Sequence, residues 1–303
     1  MPVKMVPLRS LWKRLRLTLE MIKFEHSVFA LPFALTGALL AWSDSGFQIN
    51  RLAWRVAWII VAMVTARSAA MAFNRILDAE IDGRNRRTAS RHLPTGALST
   101  RFAWGFTAIS SIVFLWAARE LGTLCLLLSP VALGILFFYS FSKRFTMFSH
   151  LILGFCLGIA PAGAWIALRG SLDPRILWLT AAVMFWTAGF DVIYACQDYE
   201  FDCKEGLYSI PRRFGLRLAL LISRLLHIGM AACLLMLVVA FHLGVLSLVG
   251  VAAIVLLLIY EHGLVRTNDF SRVNAAFFTV NSYVGVLFFI FWAADILLRR
   301  RLA

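Results

Sequence analysis

Nine stretches of this chain, at about residues 24–42, 53–73, 102–118, 121–141, 148–168, 176–196, 216–240, 243–262 and 275–297, run almost without charge. A hydrocarbon layer about 30 Å thick is crossed by a helix of about 20 apolar residues. The pattern therefore predicts an all-α polytopic membrane protein with about nine transmembrane helices. With 61% of residues hydrophobic and 15% charged, no water-soluble fold could hide this much apolar surface. Alternating strand patterns, which would suit a membrane β-barrel, are absent.

The net charge of +14 would suggest a nucleic-acid partner in a soluble protein. Here the excess of Lys and Arg on cytoplasmic segments accounts for it, and no nucleic acid is expected. With a cytoplasmic N-terminus, 20 of the 30 Lys/Arg fall on inside segments. Arg299, Arg300 and Arg301 fit an outside C-terminus poorly. Before the bundle of 24–297, Leu8, Leu11, Leu15, Leu19 and Ile22 share one helical face, with Arg9, Lys13, Arg16, Glu20 and Lys23 on another. Residues 1–23 are thus expected to carry an interfacial basic amphipathic helix on anionic lipid, and 1–303 to form a single membrane-embedded domain. The five cysteines show no C-x-x-C spacing and read as structural thiols.

Two long loops, 74–101 and 197–215, fall on the assigned cytoplasmic side. The stretch NRILDAEIDGRNRRT places Asn74, Asp78 and Asp82 four residues apart, a drift of only about 40° per step on a helix. If the second span's helix continues, all three project from one face. The stretch FDVIYACQDYEFD does the same for Asp198 and Asp202, with Asp191 one heptad before Asp198. Stacked carboxylates repel one another, and Mg²⁺ suits oxygen donors that bridge to substrate phosphates. Glu80 and Glu200 lie off these faces and read as surface acids.

Asp78 and Asp198 are 120 residues apart, as are Asp82 and Asp202. Tyr139 before Lys143 and Arg144 is echoed by Tyr260 before Arg266. An internal four-helix pseudo-repeat is predicted, with both acidic motifs at one mouth of a central cavity. Arg67, seven residues before Asn74, is expected to face that cavity and bind an anion. Lys143 and Arg144 serve equally as a topology anchor or a diphosphate contact. Arg75, Arg84, Arg86, Arg87 and Arg91 read mainly as topology determinants, with one or two closing over phosphate. No shared spacing makes the six histidines a metal set, and only His26, in KFEHSVFALPFAL, sits in a distinctive motif.

Together, FNRILDAEIDGRNRRT with RHLPTGALS, the second DVIYACQDYEFD and KFEHSVFALPFALTGALLA resemble the UbiA superfamily of intramembrane aromatic prenyltransferases. The likeness spans about residues 20–295. It implies nine spans around a cavity open to lipid, with Asn74, Asp78, Asp82, Asp198 and Asp202 holding Mg²⁺ and a diphosphate. Asp191 matches a further acid of the second motif. Arg67, Tyr139 and Lys143 fall where the family contacts diphosphate or acceptor, and Arg144 adjoins them. The implied reaction joins a polyprenyl diphosphate to a hydroxylated aromatic acid, 4-hydroxybenzoate for ubiquinone or a dihydroxynaphthoate for menaquinone, at the cytoplasmic face of a bacterial inner membrane. A CDP-alcohol phosphotransferase and an ion-coupled transporter are the more distant alternatives.

Overall fold

Apolar runs become helices throughout. The structure, a computed structural model, describes residues 16–23, 27–265, 270, 272–273 and 275–302, with the side chains of 27–29, 275–277 and 299–302 excepted. Residues 8–15 of the expected interfacial helix, His26, Arg266 and the side chains of Arg299, Arg300 and Arg301 lie outside the described residues. The elements in order are α1 (Ser27–Asp44), α2 (Leu52–Arg84), α3 (Thr100–Leu121), α4 (Thr123–Ser142), α5 (Ser149–Arg169), α6 (Leu177–Ala195), the short α7 (Tyr199–Glu205), α8 (Ile210–Ala240), α9 (Val245–Leu264) and α10 (Asn281–Leu302). Among the described residues there is no strand, and eight helices are long and apolar enough to cross a membrane. The apolar α1, of 18 residues, stands where the first of the nine predicted spans was expected.

Local chemistry sets the ends. Ser99 caps α3 by accepting from Phe102 N at 3.2 Å, and Ser209 caps α8 by accepting from Arg212 N at 3.3 Å. Pro211 in the first turn of α8 gives up a donor that has no intrahelical partner there. Gly122 alone separates α3 from α4, at φ 134°, a conformation closed to residues with a Cβ.

Helix α2 packs along α3, and α6 along α8, while α1, α5, α6, α8, α9 and α10 close a ring by successive contacts. Adding 120 to the bounds of α2 gives 172–204, against Pro174–Glu205 for the helical run containing α6 and α7. The same shift carries α4 from 123–142 to 243–262, against Val245–Leu264 for α9. For these two helices the bounds repeat with the predicted period, whereas α3, carried to 220–241, meets α8 only at its C-terminal end.

The two halves differ most in how their first two helices meet. Helices α5 and α6 pack along their length, whereas α1 and α2 touch little. A Cβ on Gly154 would lie 2.2 Å from Met184 O, and one on Gly158 2.6 Å from Thr180 O, so these glycines let the α5 and α6 backbones meet. Their counterparts 120 residues earlier are Ala34 and Ala38. In lipid, where apolar surface gains little by leaving its surroundings, such close approach is what holds helices together. The core between α1, α6 and α10 is aromatic: Phe33 stacks on Phe288 at 4.6 Å and lies 4.9 Å from Trp186.

Gly154→Ala is expected to cost about 1–3 kcal/mol through overpacking, read as a lower thermal midpoint in detergent. Gly163→Ala, whose Cβ would meet nothing within 4 Å, is the control. Equal midpoints for the two variants would refute the close-packing account.

Candidate active site

Helix α2 runs unbroken from Leu52 to Arg84, so Asn74, Asp78 and Asp82 share a face as the spacing requires. Asn74 Nδ2 donates to Asp78 Oδ2 at 2.8 Å. The second motif departs from the expected continuous helix. After α6, a 3-10 turn covers Cys196–Asp198, with Asp198 at φ −96° and ψ 8°, and α7 restarts at Tyr199. Asp198 and Asp202 are buried nonetheless and, with Asp191, line the same cavity as the first motif.

That cavity has a volume of about 840 Å³. Among its described lining residues, seven are Lys or Arg and six are Asp or Glu. Three of the acids are each held by an arginine, and a fourth faces a lysine. Arg91 Nη1 donates to both Asp82 oxygens at 2.6 Å. Arg87 grips Asp198 through Nε at 2.9 Å and Nη2 at 2.5 Å, and Asn85 Nδ2 adds a third bond at 3.0 Å. Arg144 Nη2 reaches Asp78 Oδ1 at 3.1 Å and Leu77 O at 2.9 Å. Lys143 Nζ stands 3.9 Å from Asp202 Oδ2. Burial opposes the Arg87 charge, but the hydrogen bond and attraction of Asp198 outweigh it and hold its pKa above the usual arginine value.

Every site residue expected from the sequence reaches this cavity. Arg67 and Tyr139 line it, and Arg67 Nη2 also donates to Lys23 O at 3.5 Å. Arg87 and Arg91, expected mainly as topology determinants, also grip motif carboxylates. Asn85 and His150 were missed. His150, fully buried, sets Nδ1 2.6 Å from Asp191 Oδ2. Asn85 was within reach of sequence reasoning, being three residues past Asp82; the 41-residue separation of His150 and Asp191 has no local signature.

The donor set suits a hard divalent cation. All candidate ligands offer oxygen, and Asp202 Oδ2 is buried without a hydrogen-bond partner, leaving lone pairs for one. Among the described residues no three His, Cys, Asp or Glu side chains are gathered as a ready metal cage, consistent with the arginines occupying the carboxylates.

A second cavity of about 250 Å³ adjoins the first and is lined almost wholly by apolar side chains from α1 to α5. The two share Arg67, Met71, Asn74, Tyr139, Leu153 and Leu157. Together they form a charged chamber beside a greasy one. The second lies where α1 and α2 stand apart.

Residues 30–294 match the model of the UbiA prenyltransferase family. The chain is 31% identical over 239 residues to the 4-hydroxybenzoate octaprenyltransferase of Vibrio atlanticus, covering 77% of this chain and 83% of the relative. It is 33% identical over 233 residues to the enzyme of the same name in Idiomarina loihiensis, covering 73% and 78%. The apo structure of a UbiA homologue from Aeropyrum pernix K1 superposes with a TM-score of 0.80 at 35% identity, over 89% of this chain and 98% of that one. A homologue from Archaeoglobus fulgidus bound to DMAPP and Mg²⁺ gives a TM-score of 0.71 at 19% identity, over 92% and 98%, a likeness of fold alone.

Proposed function

The chain belongs to the UbiA prenyltransferase family, and on that premise we propose that it transfers a polyprenyl group from a polyprenyl diphosphate to 4-hydroxybenzoate, in respiratory quinone biosynthesis. The observation that carries this reading is the junction of the two cavities. One is crowded with fixed cations and acids, the other is apolar, and six shared residues join them. An amphipathic donor with an anionic head and a hydrocarbon tail fits that division. The relatives named 4-hydroxybenzoate octaprenyltransferase support this acceptor. Membership of the family sets aside the phosphotransferase and transporter alternatives.

Lys143, Arg144, Arg87 and Arg91 bind the diphosphate oxygens, and Arg67 and Tyr139, at the junction, orient the donor or the acceptor. Asn74, Asp78, Asp82, Asp198 and Asp202 would hold Mg²⁺, which supplies further charge neutralisation to the departing diphosphate. The allylic C–O bond breaks with its electron pair leaving on the diphosphate. The ring carbon ortho to the acceptor hydroxyl gives two π electrons to the new C–C bond. The proton on that carbon then departs to the released diphosphate, restoring aromaticity. Positive side chains fixed where negative charge develops lower the barrier without reorganisation. Phe190, Phe278, Leu153 and Leu157 wall the chamber and keep water from the allylic cation.

We place the protein in a bacterial inner membrane with this site on the cytoplasmic side, a reading supported by the Lys/Arg distribution. We likewise read 1–303 as one catalytic unit. The test offers purified protein, Mg²⁺ and a long-chain polyprenyl diphosphate to 4-hydroxybenzoate and a dihydroxynaphthoate in competition. Product mass reports acceptor and chain length together, and prenylated 4-hydroxybenzoate is expected. Product on the naphthoate alone overturns the acceptor, and absence of any diphosphate release overturns the reaction.

A further inference from the structure

The partners of the five motif acids divide them into two kinds. Asp78, Asp82, Asp198 and Asp202 each face an arginine or lysine. Asp191 faces His150 instead, with Nδ1 2.6 Å from Oδ2. Helix α5 supplies the histidine, α6 the aspartate.

The far side of the imidazole bears on its tautomer. His150 Nε2 receives the backbone N–H of Ile210 at 3.4 Å. Ile210 is the first residue of α8, where helical N–H groups lack intrahelical partners. A nitrogen that accepts cannot also carry a proton, so the ring is the neutral tautomer with its hydrogen on Nδ1, and that hydrogen is donated to Asp191. The imidazole is therefore a strut. With Nε2 closed by a backbone amide, it has no second site through which to pass a proton onward.

We propose that His150 is a positioning residue that holds the Asp191 side chain at the cavity wall, where Asp191 receives the hydrogen bond of the acceptor's phenolic hydroxyl. This rests on the prenyl-transfer reading above. Asp191 lines the cavity whereas His150 is fully buried behind it. Oδ2 is committed to the imidazole, which leaves Oδ1 for the ligand. A carboxylate facing a neutral donor suits a neutral hydroxyl, while its four neighbours, facing full cations, suit metal and diphosphate. An accepted hydrogen bond also draws electron density toward the phenolic oxygen and raises the nucleophilicity of the ring carbon beside it.

The experiment compares H150N, whose side-chain amide can replace the Nδ1 donor, with H150F, which cannot. H150F is expected to lower kcat/KM for the acceptor about 10- to 100-fold, the size of one hydrogen bond to a charged group. The donor's KM and diphosphate binding measured without acceptor should hold. H150N is expected to recover acceptor kcat/KM to within about threefold of the parent, on the same estimate. If H150F does not fold, H150Q takes its place, since its amide reaches the Nε2 position and leaves Nδ1 empty. Unchanged acceptor kcat/KM in H150F, or an equal fall in both variants accompanied by loss of donor binding, overturns the positioning role. A parent protein that prenylates neither acceptor sinks the underlying reading instead.

Discussion

Asp198→Asn is expected to reduce prenyl transfer on the order of a thousandfold while the protein remains folded in the membrane. The amide keeps the size of the side chain and can still accept from Asn85, so packing at this buried position is preserved. It removes the charge that Arg87 grips with two nitrogens. It also removes one of the five ligands proposed for Mg²⁺. Losing a single preorganised electrostatic contact at a reacting oxygen typically costs a factor of about 10²–10³, and the loss of a metal ligand adds to it. Turnover is measured as diphosphate release, with the thermal midpoint and Mn²⁺ affinity measured in parallel. Activity within about tenfold of the parent, well short of what such a contact is worth, would remove the metal and diphosphate assignment. A fall in activity with a collapsed midpoint would call for Asp78→Asn, whose side chain is less buried.

The second large effect is expected from filling the apolar chamber. Gly163 lines it, and a Cβ there would meet nothing within 4 Å, so the helix tolerates a side chain that projects into the space. Gly163→Leu is expected to depress kcat/KM for long-chain donors by about 10- to 100-fold, with dimethylallyl diphosphate much less affected. The reasoning concerns placement more than burial. A tail expelled from the chamber returns to lipid that is equally apolar, so little transfer free energy is lost. What is lost is the geometry at the reacting carbon, where an error of about 1 Å can cost about 10²-fold. Equal losses for short and long donors would show that this chamber does not receive the tail.

What could be read from the sequence was local. The apolar runs and the four-residue step of Asn74, Asp78 and Asp82 follow from helix length and period, and the structure keeps both. The 120-residue repeat was legible because identical spacing survives divergence of everything between. The 3-10 turn at Cys196–Asp198 was not, since nothing in YACQDYE forbids a continuous helix. Nor were the pairings of Arg87 with Asp198, 111 residues apart, or His150 with Asp191. Such contacts arise from how helices are stacked, and charge alone had suggested a topological role for Arg87. The standing-apart of α1 and α2 was hidden for the same reason. It depends on which of two equivalent helices carries glycine at a backbone contact, a distinction invisible until Gly154 and Met184 are seen to meet.

Among the described residues, seven basic against six acidic side chains at the charged chamber have a kinetic meaning. A pocket of bare carboxylates would repel a diphosphate until cations had arrived to screen it. Here the fixed charges leave a surplus of one positive, so the local field draws the anionic head inward at first encounter. Capture of the donor should then slow as salt is added, most steeply below about 0.1 M, where the screening length exceeds about 10 Å.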